Sequence, residues 1–203
     1  MTKNLLRNAR GPADILSTLP PGDLWVFAYG SLMWSPGFRY LESTAGLLHG
    51  YRRSLCILSL RHRGTRERPG LVLGLERGGS CRGIAFRVSR RAAPGVLAAL
   101  WRREMGGRSY TPRFAKVALR EGSRSRVVRA LAFVADLSHP QYARGLEPRA
   151  IAALVAQGIG ERGTCVEYLH NTLAHMRALG LQDQRLDFVL GAARSLRKHT
   201  GTI

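Results

Sequence analysis

A chain of 203 residues with 45% hydrophobic content is sized for one domain with a full core, which excludes extensive disorder and removes the need for a metal or disulfide staple. Its 32 basic against 13 acidic residues give a net charge of +19, a balance suited to nucleic acid or an acidic membrane surface; yet the three lysines Lys3, Lys116 and Lys198 leave 29 arginines scattered from Arg7 to Arg197, which reads as coding bias rather than a dedicated polyanion site. No apolar run approaches the roughly 18 residues that span a bilayer, and the opening segment lacks the apolar stretch and cleavage site of a secretory signal, so the expected location is the cytoplasm, with no membrane partner.

Residues 1–22 carry the breakers Gly11, Pro12, Pro20, Pro21 and Gly22 and read as an arm, mobile at its opening, that ends in a turn. Residues 23–199 are expected to form a single domain. Strand candidates follow in order: LWVFAYG (24–30), leading into the loop GSLMWSPG; AGLLHGY (45–51); SLCILSL (54–60); LVLGLE (71–76); CRGIAFRV (81–88); RFAKVALR (113–120); and VVRALAFVAD (127–136). Arg77, Gly78, Gly79 and Ser80 carry a hairpin signal, because glycines supply the positive φ of tight turns. The basic segment RHRGTRERPG (61–70) reads as a solvated rim loop. Helical spacing appears over Pro94 to Met105, Pro148 to Gly158, Thr164 to Leu179 and Asp183 to Arg197. The third of these opens on a capping-box pattern, Thr164 with Glu167, and repeats Leu169, Leu173, Met176 and Leu179. Strands first and helices last, without βαβ alternation, predict an α+β chain with a strongly curved sheet or small barrel.

The chain has no P-loop, no dinucleotide fingerprint, no HExxH and no GxSxG. His170 and His175 lie five apart on a helix, off a common face, so no metal site is expected. Cys56, Cys81 and Cys165 form no CxxC pair and read as buried free thiols. Glu104 is the informative residue: it follows Leu97, Leu100 and Trp101 by seven, four and three positions, which puts its carboxylate on the inward helix face, while Arg102 and Arg103 point elsewhere. Two readings fit, a proton carrier whose pKa is raised by desolvation or a rim glutamate paired with an arginine. The junction Tyr29-Gly30-Ser31-Leu32 likewise reads either as a backbone cradle for an anion or oxyanion, or as a strand end whose glycine is purely steric.

FAYGSLMW (27–34), GYRRSLC (50–56), RGTRERPG (63–70), RGIAFRV (82–88), LWRREM (100–105) followed by Tyr110, and EYLHNTLAHMRALGLQD (167–183) resemble, in order, the blocks of the ChaC-like γ-glutamylcyclotransferases. The resemblance covers the chain from about Trp25 to Leu190 and departs from the family at Cys165, where an asparagine is usual. It implies a γ-glutamylcyclotransferase-like small mixed β-barrel flanked by helices, and cleavage of glutathione to 5-oxoproline and Cys-Gly without cofactor or metal. By position, Tyr29, Gly30, Ser31 and Leu32 would bind the γ-glutamyl group, Glu104 would be the acid–base, and Arg53 and Tyr110 would line the pocket. Alternatives are a cyclotransferase for other γ-glutamyl peptides or amines or, in another class, a basic nucleic-acid-binding or regulatory protein, disfavoured by the lack of RNA-binding aromatics or helix-turn-helix spacing.

Overall fold

The computed structural model describes residues 6, 9–121 and 124–200. They fall into two compact units: one holds the residues up to Arg53 together with Leu75–Asp136, the other Ser54–Gly74 together with the residues from Leu137 onward.

A closed five-stranded barrel in the order β1-β3-β2-β4-β5 has most of its strand residues in the first unit, with the end of β2 and the start of β3 belonging to the second. The strands are β1 (Leu24–Ala28), β2 (Glu42–Ser59), β3 (Gly70–Val88), β4 (Tyr110–Glu121) and β5 (Arg124–Ala135). β1 pairs antiparallel with β3, Leu24 opposite Val88 and Ala28 opposite Ile84. It closes the barrel through a parallel pairing with β5, Trp25 opposite Ala130. Every residue of β1 is buried, as its unbroken apolar run requires of a strand with neighbours on both edges.

One expectation, the Arg77–Ser80 hairpin, is corrected here, and the arm carries an element that the sequence spacing does not show. The arm holds a short helix, α1 (Pro12–Ser17). Pro12 sits in the first turn, where its missing N–H costs nothing, and the Asp14 carboxylate accepts the N–H groups of Arg10 and Gly11 at 2.6 and 3.2 Å. Ile15 is fully buried, and α1 packs on α2 (Ala93–Glu104). The expected mobility of the opening concerns residues that lie, apart from Leu6, outside those described up to residue 8. The hairpin at Arg77–Ser80 is absent: β3 continues through it without a break, and the two segments forming β2 likewise fuse. Gly78 and Gly79 do take positive φ, 95° and 69°, but within a strand whose partner follows it, so the glycines bend the ribbon rather than reverse it. Arg52 braces the bend, donating to the Arg77 carbonyl at 3.2 Å and to the Glu76 carboxylate at 3.0 Å.

The second unit contains α3 (Pro148–Gln157), the two-stranded pair β6 (Ile159–Gly160) and β7 (Gly163–Thr164), α4 (Cys165–Ala178) and α5 (Gln184–Thr200). The helices fall where the periodicity predicts them. Thr164 caps α4, its hydroxyl accepting the Glu167 N–H at 3.0 Å, whereas the Glu167 carboxylate faces Arg63 at 3.9 Å. Leu169, Leu173 and Met176 are buried, while Leu179, at the end of the helix, is exposed. Arg63 departs from the solvated-rim expectation: it donates to the Thr164 carbonyl at 3.2 Å and lies over the Tyr168 ring at 5.5 Å. Cys165 does the work of a small amide. Its thiol donates to the Leu71 carbonyl at 2.8 Å and accepts the Leu71 N–H at 3.4 Å, and burial pushes its pKa up to about 11, so it is a neutral strap rather than a nucleophile. Cys56 and Cys81 are buried free thiols as well.

Candidate active site

The candidate residues Tyr29, Gly30, Ser31, Leu32, Arg53, Glu104 and Tyr110 all belong to the first unit. Register explains why distant segments meet. β1 and β5 run parallel, and Tyr110 at the start of β4 pairs with Ala135 at the end of β5. The end of β1 and the start of β4 therefore share one end of the barrel. Tyr110 follows the end of α2 by six residues, so the turn after Glu104 is delivered to that same end.

Past Ala28 the chain forms a single 3₁₀ turn, Ser31–Met33, closed by the Met33 N–H on the Gly30 carbonyl at 2.9 Å. The amides of Ser31 and Leu32, at its start, lie outside that ladder. Gly30 has φ −136°, so a left-handed conformation is not what the glycine supplies. Leu32 and Met33 are buried, while Ser31 and Trp34 are half-buried and Ser35 is exposed. Tyr29 is buried too, and its hydroxyl donates to the Phe133 carbonyl at 2.8 Å. Arg53 donates from Nε to the Tyr29 carbonyl at 2.7 Å and from its terminal nitrogen to the Arg82 carbonyl at 2.6 Å. The strand end is thus fixed from both sides. Tyr29→Phe removes one fixture and strands a buried carbonyl, an expected loss of about 1–2 kcal/mol, read as a lower urea midpoint at unchanged m-value.

Glu104 ends α2, whose Ala93, Val96, Leu97 and Leu100 are buried. Its side chain is 18% exposed, in line with the inward placement read from the spacing. Burial pushes its carboxyl above the ordinary value of 4.5, and the Arg103 guanidinium opposes that rise. The partner of Glu104 is Arg103, Nε to Oε1 at 3.3 Å, not a residue beyond the helix. The same guanidinium donates to the Ser31 hydroxyl at 2.9 Å and to the Ser35 carbonyl at 2.6 Å. The helical wheel points Arg103 off the inward face; its length and forked head carry it back across. The two motifs singled out in the sequence therefore meet, joined by one side chain. Among the described residues, no three His, Cys, Asp or Glu side chains cluster as metal ligands would.

A closed mixed barrel flanked by helices is the γ-glutamylcyclotransferase-like fold. A crystal structure of a selenomethionine-labelled γ-glutamylcyclotransferase specific to glutathione from yeast shares that fold, with a TM-score of 0.79 over 88% of this chain and 98% of that one at 20% identity. Residues 24–195 match the profile of the ChaC-like protein family, and the chain belongs to that family. It is 36% identical over 175 residues to the glutathione-specific gamma-glutamylcyclotransferase of Escherichia coli K12, covering 86% of this chain and 74% of that one. It is 30% identical over 180 residues to the human glutathione-specific gamma-glutamylcyclotransferase 1, covering 87% and 81%.

Proposed function

We propose that this chain cleaves glutathione to 5-oxoproline and Cys-Gly as a carbon–nitrogen lyase, with Glu104 as the acid–base, within a catalytic domain spanning residues 23–199. Membership of the ChaC-like family and the names of its relatives support the substrate. The observation that carries the mechanism is the joining of the sheltered Glu104 carboxylate to the Tyr29–Leu32 turn through Arg103.

Glutathione contains its own nucleophile, the α-amine of the γ-glutamyl group, which closes a five-membered ring on the γ-carbonyl. At neutral pH that amine is an ammonium and cannot attack. Glu104 takes one proton, the amine adds to the carbonyl, and the C–N bond to cysteine breaks as Glu104 returns that proton to the departing nitrogen. The second proton of the ring nitrogen passes to the freed Cys-Gly amine, which leaves as its ammonium. No water is consumed. The developing oxyanion calls for donors aimed at it, and the unladdered amides of the turn supply them, each good donor worth about 3 kcal/mol of barrier. With Leu32 buried and the Tyr29 hydroxyl engaged, recognition by this turn is a main-chain affair. Holding amine against carbonyl contributes further, out of the roughly 7–11 kcal/mol available to well-oriented intramolecular reactions. Arg53 and Tyr110 line the site, Arg53 at the very carbonyl where the turn begins; its cationic head suits a substrate with two carboxylates.

No helix among the described residues is long and apolar enough to cross a membrane, and three free thiols fit the reducing cytoplasm proposed here as the working compartment. Purified protein incubated with glutathione and excess EDTA is expected to release 5-oxoproline and Cys-Gly in equal amounts, read by chromatography. Absence of both products, or their loss on adding EDTA, would count against the reading. γ-Glutamyl-alanine in parallel tests the preference for glutathione.

A further inference from the structure

Arg103 uses its fork in full. Each of its three guanidinium nitrogens meets a different acceptor: the Glu104 carboxylate at 3.3 Å, the Ser31 hydroxyl at 2.9 Å and the Ser35 carbonyl at 2.6 Å. It also covers the turn beyond, where a side chain placed on Gly37 would come within 3.6 Å of it. Within the loop the Met33 N–H meets the Gly30 carbonyl at 2.9 Å, and the Trp34 and Ser35 N–H groups meet the Ser31 carbonyl, Ser35 at 3.0 Å; the Arg103 side chain reaches across to this loop from the end of α2. The side chain is one-third exposed, which is ample shelter for charge-assisted bonds to matter.

We infer that Arg103 and Ser31 form a latch: Arg103 is a positioning residue that holds the 31–35 loop against the end of α2 beside Glu104, and the Ser31 hydroxyl is its acceptor rather than a contact to substrate. The inference rests on the reading that this loop and Glu104 form the reaction site. The two halves of Ser31 take separate roles: its side chain is engaged by Arg103, and on the proposed reading its amide is the part left for the substrate. A lysine cannot reproduce the latch, because one ammonium cannot span three divergent acceptors in the plane a guanidinium does.

A double-mutant cycle tests this, with hydrogen exchange of the 30–35 segment measured on the unliganded proteins and the neighbouring exposed Arg102→Ala as a control expected to match wild type. Arg103→Ala is expected to lower kcat by about 10- to 100-fold, the loss of charge-assisted bonds, with little change in KM, and to speed exchange of the segment. Ser31→Ala does the same to a smaller degree. In the double variant the loss equals that of Arg103→Ala alone, since partners in one contact are not additive. Arg103→Lys stays near the alanine variant, and methylguanidinium partly restores Arg103→Ala, as it would not if the residue merely stabilised the fold. Effects of Ser31→Ala and Arg103→Ala that multiply, or a KM rise confined to Ser31→Ala, overturn the latch and make Ser31 a substrate contact. Unchanged exchange in both single variants also overturns it. If wild-type protein leaves glutathione intact yet exchange quickens in both, the latch stands and the catalytic reading falls; should Arg103→Ala not fold, Ser31→Ala and Arg103→Lys carry the same exchange and kcat comparisons.

Discussion

Glu104→Gln is expected to keep the fold and lose turnover, with kcat for glutathione cleavage lowered by about 10²- to 10⁴-fold. The substitution is isosteric and sits at the end of α2, where Leu97 and Leu100 already bury the helix face without help from the carboxylate. What disappears is the only group proposed to take a proton from the substrate ammonium. KM should change little, because the turn and Arg53 are untouched. Release of 5-oxoproline by the purified variant at the wild-type rate would remove Glu104 as the base.

The same carboxyl sets a pH dependence of both activity and stability. Activity requires the ionised form in the free enzyme, so kcat/KM falls as pH drops through a value raised above 4.5 by burial, with Arg103 keeping the rise in check. Removing Arg103 should therefore move the acid limb to higher pH. For stability the sign is reversed from that of an ordinary surface carboxylate. A raised folded pKa means the native state holds the proton more tightly than the unfolded chain, so stability declines as pH climbs from about 4.5 through the folded value and stays lower above it. Glu104→Gln, which never ionises, should thus melt higher than wild type near neutrality and converge with it below about pH 4.5, read by thermal unfolding across pH. A variant that is inactive yet more stable is the signature of a site that trades stability for chemistry.

The sequence spacing carried the helices and Glu104 because both rest on local periods: α2 shows its buried face every three to four residues, and the carboxylate falls on it. The barrel strands were legible as elements, but their extents were not. Gly78 and Gly79 read as a hairpin since positive φ is the same local signal whether a ribbon reverses or bends, and the braces from Arg52 that decide between the two come from a strand about 25 residues away in sequence. α1 is six residues long, buries Ile15 and packs on α2, a tertiary contact with no periodic trace. Arg103 was missed for a different reason: a helical wheel locates Cβ atoms, and a long cationic side chain acts several ångströms from its own. The neighbouring Arg103-Glu104 pair, with Gly106 and Gly107 closing the helix just beyond Met105, is the signal that could find it.

Gly83→Ala is expected to damage fold and activity together, although the residue bears no functional group. Gly83 lies in β3 beside the antiparallel partner of Ala28. A Cβ built there falls 2.2 Å from the Ala28 carbonyl oxygen and 2.8 Å from the Phe27 ring. Backbone cannot step aside as a flexible side chain does, and Phe27 is 1% exposed, with no room to retreat. The strand must move, at a cost of about 3 kcal/mol or more, beyond ordinary overpacking; for a chain of this size that is a fall of about 6–12 °C in Tm. Ala28 is the last residue of β1 and the one before Tyr29, so the displacement is passed to the turn itself, and Arg53, bound to the Tyr29 carbonyl at 2.7 Å, resists it from the other side. kcat per folded molecule should therefore drop as well, which separates this lesion from simple loss of protein. Gly95→Ala is the matched control: nothing lies within 4 Å of its added Cβ, and in a helix alanine is favoured over glycine by about 1 kcal/mol. Gly95→Ala should melt at or above wild type with full activity. A Gly83→Ala variant that melts within a degree of wild type would show that β1 and β3 do not approach as closely as the register requires, and the placement of the turn would have to be rebuilt from that point.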